Sequence, residues 1–138
     1  MEQTKSTGAG LTRTAGILMI VIAVLHAVVT TTSHWSGWLA GDLRDRTASA
    51  ESVAAFWAQP GGFAVVVLVL GLLVVRAANR GDRLPAYVGW SLLGWVVLCL
   101  VLIGPASGFS LALVPAALLV AADVRARLAT RRRQVRIR

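Results

Sequence analysis

The chain has 138 residues, of which 57% are hydrophobic and only 14% are charged, and its mean hydropathy is +0.72. A soluble domain averages about 45–50% apolar and about 25% charged residues, and a chain this short cannot hide such an apolar excess from water. These proportions exclude an ordinary soluble domain and predict a protein of the lipid bilayer. The single cysteine, Cys99, also excludes an intrachain disulfide and a cysteine cage for a metal ion.

The first apolar run predicts a membrane span over residues 14–31, after a polar N-terminal tail that we expect to be frayed. With its ends included, the run is long enough for the roughly 30 Å of hydrocarbon in a bilayer. A cleaved signal peptide is the competing interpretation, because Lys5 and Arg13 precede the run and small residues follow it. We favour a retained span, since the run is at the upper limit for a signal peptide and no good cleavage triplet follows.

A polar segment over residues 32–51 follows, and we predict that it is an extracytoplasmic loop. Trp35 and Trp38 come just after the span, where amphipathic rings favour the headgroup level of a membrane. They are predicted to be interface anchors, with the lining of a ligand entrance as the alternative. His34, among serine and tryptophan, is predicted to be an ordinary exposed residue.

Three further apolar runs predict spans over residues 52–76, 85–103 and 109–124. Pro60 is near the start of the second, where proline removes a helical hydrogen bond and clashes with the preceding turn. We favour a kinked continuous helix over a short interfacial helix that ends before Pro60, because the shorter remainder would cross a bilayer with difficulty. Pro85 suits the first turn of the third span, and breaker residues at 104–108 predict a tight turn before the fourth.

Basic residues near the span ends predict the orientation. The N-terminal tail, the connector after the second span and the tail over residues 125–138 are basic, whereas the long loop has balanced charges and the last connector has none. Both termini are therefore predicted to be cytoplasmic, in a protein of the cell membrane. Short connectors and small residues on the helices predict one all-α domain over residues 1–138, an integral membrane antiparallel four-helix bundle.

The C-terminal tail is the most basic part of a chain whose formal net charge is +8. A cluster of arginines beside a span attracts anionic lipid by about 1 kcal/mol per residue. Nucleic-acid binding is the other use of such a run, but no folded recognition module accompanies it. The predicted partners are therefore the bilayer and its anionic headgroups, and not nucleic acid.

His26 is the only clearly ionisable side chain well inside an apolar run, which makes it a functional-site hypothesis by default. In the predicted orientation it shares the outward half of the bilayer with Gln59, Trp57 and Trp95. These four residues would lie near the outer mouth of the bundle. Polar and aromatic side chains there predict a site for a lipophilic small molecule with a polar head, or for a membrane partner. The structural alternative is that His26 bonds a carbonyl group or Gln59 and joins two helices.

Two other functions stay open at this point. A small membrane enzyme, isomerase- or cyclase-like, would use His26 as general acid or base, because imidazole titrates near neutral pH. Alternatively, the chain is an accessory subunit of a larger membrane complex. We predict no cofactor and no metal, because Cys-x-x-Cys, His-Glu-x-x-His and glycine-rich phosphate loops are missing from the sequence. His26 and His34 would also lie about 12 Å apart along one helix, too far to share an ion.

Several short motifs resemble a family of small, uncharacterised bacterial four-helix membrane proteins, which is also loosely similar in size to the DoxX-like class. The motifs are Gly16 with His26 in the first span, Ala55-Phe56-Trp57 at the start of the second, Leu84-Pro85 before the third, and Pro105 with Ser107-Gly108-Phe109 before the fourth. The resemblance covers most of the chain. It implies the fold and a membrane location, but no activity.

Overall fold

The computed structural model describes residues 3–106 and 108–137, and this part of the chain is all-helical, without strands. The helices, in chain order, are α1 (Gln3–Val29), α2 (Trp35–Ala40), α3 (Ala50–Ala58), α4 (Phe63–Arg80), α5 (Ala86–Ile103) and α6 (Phe109–Ile137). The predicted all-α class is confirmed. Met1, Glu2, Ser107 and Arg138 lie outside the described residues.

In the part of the chain that the structure describes, four helical segments are long and apolar enough to cross a membrane, namely Gly8–Val29, Ala50–Arg80, Ala86–Ile103 and Phe109–Arg132. The second segment combines α3 and α4. Each segment also exposes large apolar side chains, among them Val28, Val66, Leu102 and Leu111. Extended apolar surface of this kind marks contact with a membrane or with another protein.

The second apolar run is interrupted, so the predicted kinked continuous helix is not what the chain forms. α3 and α4 are separated by a turn over residues 59–62, and a short helix that ends before Pro60 is the arrangement found. Pro60 has no backbone N–H for the helix, and the N–H of Gly61 instead donates to the carbonyl oxygen of Phe56 at 2.8 Å, which closes α3. A Cβ at Gly62 would collide with the backbone of α3, so only glycine fits there.

Both ends of the chain are more helical than predicted. The described part of the expected N-terminal tail belongs to α1, and α6 continues through the basic tail to Ile137. No glycine or proline follows Pro115 in α6, and alanine, leucine, arginine and glutamine are strong helix formers. The Nε of Arg127 also lies 2.9 Å from Oδ2 of Asp123, one turn earlier, a spacing that stabilises a helix.

α1 is the central helix of the fold, because it packs against both α4 and α6, while α5 packs on α6. The buried core comes from three of these helices and consists of Ala15, Met19, Ala23, Val67, Val74 and Leu119. Small residues on α1 allow the neighbouring helices to approach closely, as is usual for helices in membranes.

Two glycines set the distance between α1 and α4. A Cβ built at Gly16 would lie 2.9 Å from the carbonyl oxygen of Gly71, and a Cβ at Gly71 would lie 2.9 Å from the carbonyl oxygen of Gly16. Because each glycine meets the backbone of the other helix, no side-chain movement could make room for a larger residue. The contact between α1 and α4 therefore depends on glycine at both positions.

Candidate functional site

The four predicted site residues lie on different elements. His26 is in the last turn of α1, Trp57 is in α3, Gln59 follows α3, and Trp95 is in the middle of α5. Within the described part of the chain, no hydrogen bond or ring contact joins any two of them. Each of the four has its own set of neighbours.

His26 contacts the turn that leads into α6. Its Nδ1 lies 3.1 Å from the carbonyl oxygen of Ile22, one turn earlier in α1, and within hydrogen-bond distance of it. Its Nε2 faces Gly108, where a Cβ would be only 2.5 Å away. The imidazole thus sits directly against the backbone before α6. This is the geometry of a side chain that joins α1 to another element by close packing.

Gln59 presents the clearest unsatisfied polar atom in the fold. Its backbone holds the turn after α3, because its N–H donates to the carbonyl oxygen of Ala55 at 3.1 Å and its own carbonyl oxygen accepts from Ala64 at 3.1 Å. The side-chain oxygen Oε1 is buried, and no donor in the described part of the chain reaches it. A buried acceptor without a partner costs about 1–3 kcal/mol.

Trp95 belongs to a cluster that we call the aromatic triad, formed by Phe63, Trp95 and Phe109. The ring centroids are 5.2 Å apart for Phe63 and Trp95, 5.6 Å for Phe63 and Phe109, and 5.3 Å for Trp95 and Phe109. Each ring comes from a different helix, so the aromatic triad links α4, α5 and α6. The backbones of α4 and α5 do not pack closely, and these rings bridge the gap between them.

A small apolar cavity adjoins the aromatic triad. Its volume is about 10 Å³, and all four long helices contribute to its walls, which are formed by Met19, Ile22, Phe63, Val67, Leu92, Trp95, Ala112 and Pro115. A space of this size holds one water molecule at most. His26 and Gln59 are not among the wall residues, so the interior next to the triad is nearly filled and entirely apolar.

Trp57 and His34 belong to a second group of rings, which we call the loop aromatic cluster. Trp38 is its centre, with ring centroids 5.7 Å from His34, 5.3 Å from Trp35 and 5.5 Å from Phe56. Trp57 adds its ring at 5.4 Å from Phe56 but is 64% exposed.

The role of His34 in this cluster was missed by the sequence analysis, which predicted an ordinary exposed residue. His34 is half-buried and its ring stacks on Trp38 at an interplanar angle of 20°. The available signal was spacing, because residues four apart share a face of a helical turn. The segment between the first two apolar runs is therefore held by packing among its own aromatic side chains and Phe56, and does more than connect two helices.

The helices and their exposed apolar surfaces define the class of the protein. Four helices long and apolar enough to span a membrane suggest a multi-pass membrane protein. Residues 10–126 match DUF6463, a family of unknown function, and the chain belongs to that family. The resemblance to an uncharacterised family is thereby confirmed. No curated protein and no solved structure matches the chain.

Proposed function

We propose that the chain is a multi-pass protein of a bacterial cell membrane that binds a lipophilic small molecule carrying a hydrogen-bond donor. The four long segments would cross the bilayer as an antiparallel bundle with both termini in the cytoplasm. The ligand would bind in the outward half, between Gln59 and the aromatic triad. Gln59 would supply the polar contact and the rings the apolar one.

The distribution of arginine supports this orientation. Arg76 and Arg80 lie at the end of the second apolar segment and Arg83 follows it, and exposed arginines line the end of α6 at positions 125, 127, 131 and 132. Positive side chains near span ends favour the cytoplasmic side of a membrane. We call residues 125–137 the basic arm, and propose that it contacts anionic headgroups, each arginine contributing about 1 kcal/mol.

Cysteine labelling tests the orientation. In a Cys99→Ala background, Ser36→Cys is expected to react with a membrane-impermeant maleimide on intact cells, because residue 36 lies in the extracytoplasmic loop. Thr130→Cys, on the basic arm, is expected to react only after the membrane is permeabilised. Both side chains are exposed in the fold, so accessibility differs only through the bilayer. Labelling of Thr130→Cys on intact cells would reverse the proposed topology.

The observation that carries the ligand proposal is the buried, unpartnered Oε1 of Gln59. Hydrocarbon offers no hydrogen bonds, so an acceptor at this depth needs a partner that the protein or a ligand must provide. The described part of the chain provides none. A hydroxyl or amine group of a bound molecule would donate a hydrogen bond to this oxygen. Binding would then recover the free energy that the unpaired acceptor costs the free protein.

The neighbouring apolar elements are suited to receive the rest of such a molecule. Since the backbones of α4 and α5 do not pack closely and the rings of Phe63 and Trp95 bridge them, separation of these rings would open a path from lipid to the small cavity. Met19 in the cavity wall is flexible, and Pro115 removes one backbone hydrogen bond of α6 at the same level. His26 packs against Gly108, directly before Phe109, and so positions one ring of the triad.

Substitution of Gln59 tests the proposal. Protein purified in mild detergent is expected to carry a co-extracted lipophile detectable by native mass spectrometry, and Gln59→Leu is expected to lose it. The substitution should leave the melting temperature unchanged or raise it, because it removes an unsatisfied buried polar atom. Gln134→Leu, at an exposed position of the basic arm, is the matched control and should keep the bound molecule.

Two results would contradict the ligand proposal. One is a wild-type protein that carries no small molecule after gentle extraction from its native membrane. The other is a Gln59→Leu protein that keeps the same molecule in the same amount as the Gln134→Leu control.

A further inference from the structure

A polar groove lies where the turn after α1, the helix α2, the loop after α2 and the start of α3 meet. Its volume is about 300 Å³, at the lower end of the range for small-molecule sites. Five hydroxyl side chains line it, those of Ser33, Ser36, Thr47, Ser49 and Ser52. His34 and Asp42 add two further polar side chains, and Gly37 and Ala48 complete the lining, so most of the groove offers hydrogen-bonding groups.

The walls of this polar groove are held in place by the fold. The indole Nε1 of Trp38 donates to the Oγ of Ser52 at 2.9 Å, which ties α2 to α3, and the stacked ring of Trp38 supports His34. The carbonyl oxygen of Asp42 accepts from the backbone N–H groups of Thr47 at 2.9 Å and Ala48 at 3.2 Å. A site whose groups are already ordered loses less entropy when it binds a ligand.

The groove retains hydrogen-bonding capacity of both kinds. The Oγ of Ser52 accepts from Trp38 and that of Ser49 accepts from the N–H of Ser52 at 3.2 Å, so both hydroxyl protons remain for a ligand. The carboxylate of Asp42 accepts only from Thr47, at 3.3 Å, within the described part of the chain. Its nearest basic neighbour in sequence, Arg44, is instead paired with Asp45 at 3.1 Å.

This chemistry narrows the class of ligand. No lysine or arginine lines the groove and one carboxylate does, which disfavours phosphate and other anions. The polar lining disfavours an apolar molecule. Closely spaced donors and acceptors match a compound that carries several hydroxyl groups, and a volume of about 300 Å³ suits one small ring.

We propose that the polar groove binds a neutral polyhydroxylated group of the sugar type, with Asp42 as the main acceptor. The groove is bordered by α2, whose Trp35 is 39% exposed, and tryptophan favours the headgroup region of a membrane. Leu39 of the same helix is 82% exposed and adds apolar surface beside it. The sugar is either free or the headgroup of a glycolipid. The site is separate from Gln59 and the aromatic triad, and the proposal does not depend on the lipophile that they would bind.

The experiment uses the full chain in phosphatidylcholine nanodiscs. Free methyl glycosides of glucose, galactose and mannose are one set of probes, and the corresponding monoglycosyl diacylglycerols in the nanodisc are the other. Binding is followed by saturation-transfer NMR and by the fluorescence of the tryptophans beside the groove. We expect at least one glycoside to bind, and its affinity to fall at least tenfold in Asp42→Ala. Asp45→Ala, an exposed aspartate outside the lining, is the matched control and should bind as the wild type does.

A second variant covers the case in which Asp42→Ala disturbs the loop. Ser36 makes no side-chain hydrogen bond in the described part of the chain, so Ser36→Leu should fill the groove without removing an internal contact, and should also weaken binding at least tenfold.

Binding of the free glycosides identifies a soluble sugar, and binding of the glycolipids alone identifies a headgroup. The proposal is overturned if no glycoside binds, or if both variants bind the glycoside normally. It is also overturned if the groove binds choline, the headgroup of the nanodisc lipid, instead of a glycoside. Gln59→Leu should bind the glycoside unchanged, so the two proposals fail independently.

Discussion

Replacement of Gly71 by leucine is expected to prevent α1 and α4 from packing, with a loss of at least about 3 kcal/mol in the free energy of unfolding. The cause is the backbone contact with Gly16, because a Cβ at Gly71 would lie 2.9 Å from the Gly16 carbonyl oxygen and 3.1 Å from the backbone nitrogen of Ile20. Neither atom can move without moving α1, which is the central helix. The measurements are the melting temperature in detergent and the yield of monodisperse protein.

Gly94 provides the matched control for this substitution. It is also in the interior of a long apolar helix, α5, but a Cβ there would meet nothing within 4 Å. Gly94→Leu should therefore keep the fold, and Gly94→Ala should stabilise the helix by roughly 0.5–1 kcal/mol. If Gly71→Leu and Gly94→Leu melt at the same temperature, the glycine contact between α1 and α4 does not determine stability.

Truncation of Phe63 to alanine is expected to have the second largest effect. Phe63 contributes one ring to the aromatic triad and one wall to the apolar cavity, so its removal joins the space of the ring to the cavity of about 10 Å³. Phenylalanine-to-alanine changes in cores cost about 3–5 kcal/mol, and we expect the lower part of that range because Phe63 is only partly buried. The melting temperature in detergent measures the loss.

The enlarged cavity should also bind a small apolar probe. Benzene is expected to raise the melting temperature of Phe63→Ala and not that of the wild type, because binding to the folded state alone stabilises it. Trp57→Ala removes an even larger ring that is 64% exposed and should change the melting temperature little. A Phe63→Ala protein as stable as the wild type would show that the aromatic triad does not join α4, α5 and α6.

Local sequence signals were sufficient for the four long apolar segments, but they missed α2 and failed at the ends of the helices. The apolar runs predicted four segments because burial or lipid contact imposes the same composition on every turn of a helix. The ends depend on smaller differences in free energy. Pro60 was compatible with either a kinked helix or the end of a helix. The hydrogen bond from the N–H of Gly61 to the carbonyl oxygen of Phe56 ends α3 there. The basic arm was predicted as a tail, but its alanine, leucine, arginine and glutamine residues are good helix formers, and extending a helix that has already formed costs little.

In the candidate site, too, the sequence indicated individual residues but not their contacts. His26 and Gln59 stood out in the sequence because polar groups are rare in apolar runs, and both proved to have unusual surroundings. Their partners did not follow from spacing. The sequence contained Phe63, Trp95 and Phe109 as three separate aromatic residues, and nothing in their separation along the chain indicated that they would form one cluster.

The sequence by itself determined that the chain is helical, that four segments are apolar enough to span a membrane, and where the basic residues lie relative to them. These properties follow from the composition of each segment. Only the tertiary structure decided that Gly16 meets Gly71, that the Oε1 of Gln59 has no partner, and that the loop folds into a polar groove around Asp42. The two glycines are far apart in the chain, and the surroundings of Gln59 and the shape of the groove depend on how the helices and the loop pack rather than on any local pattern.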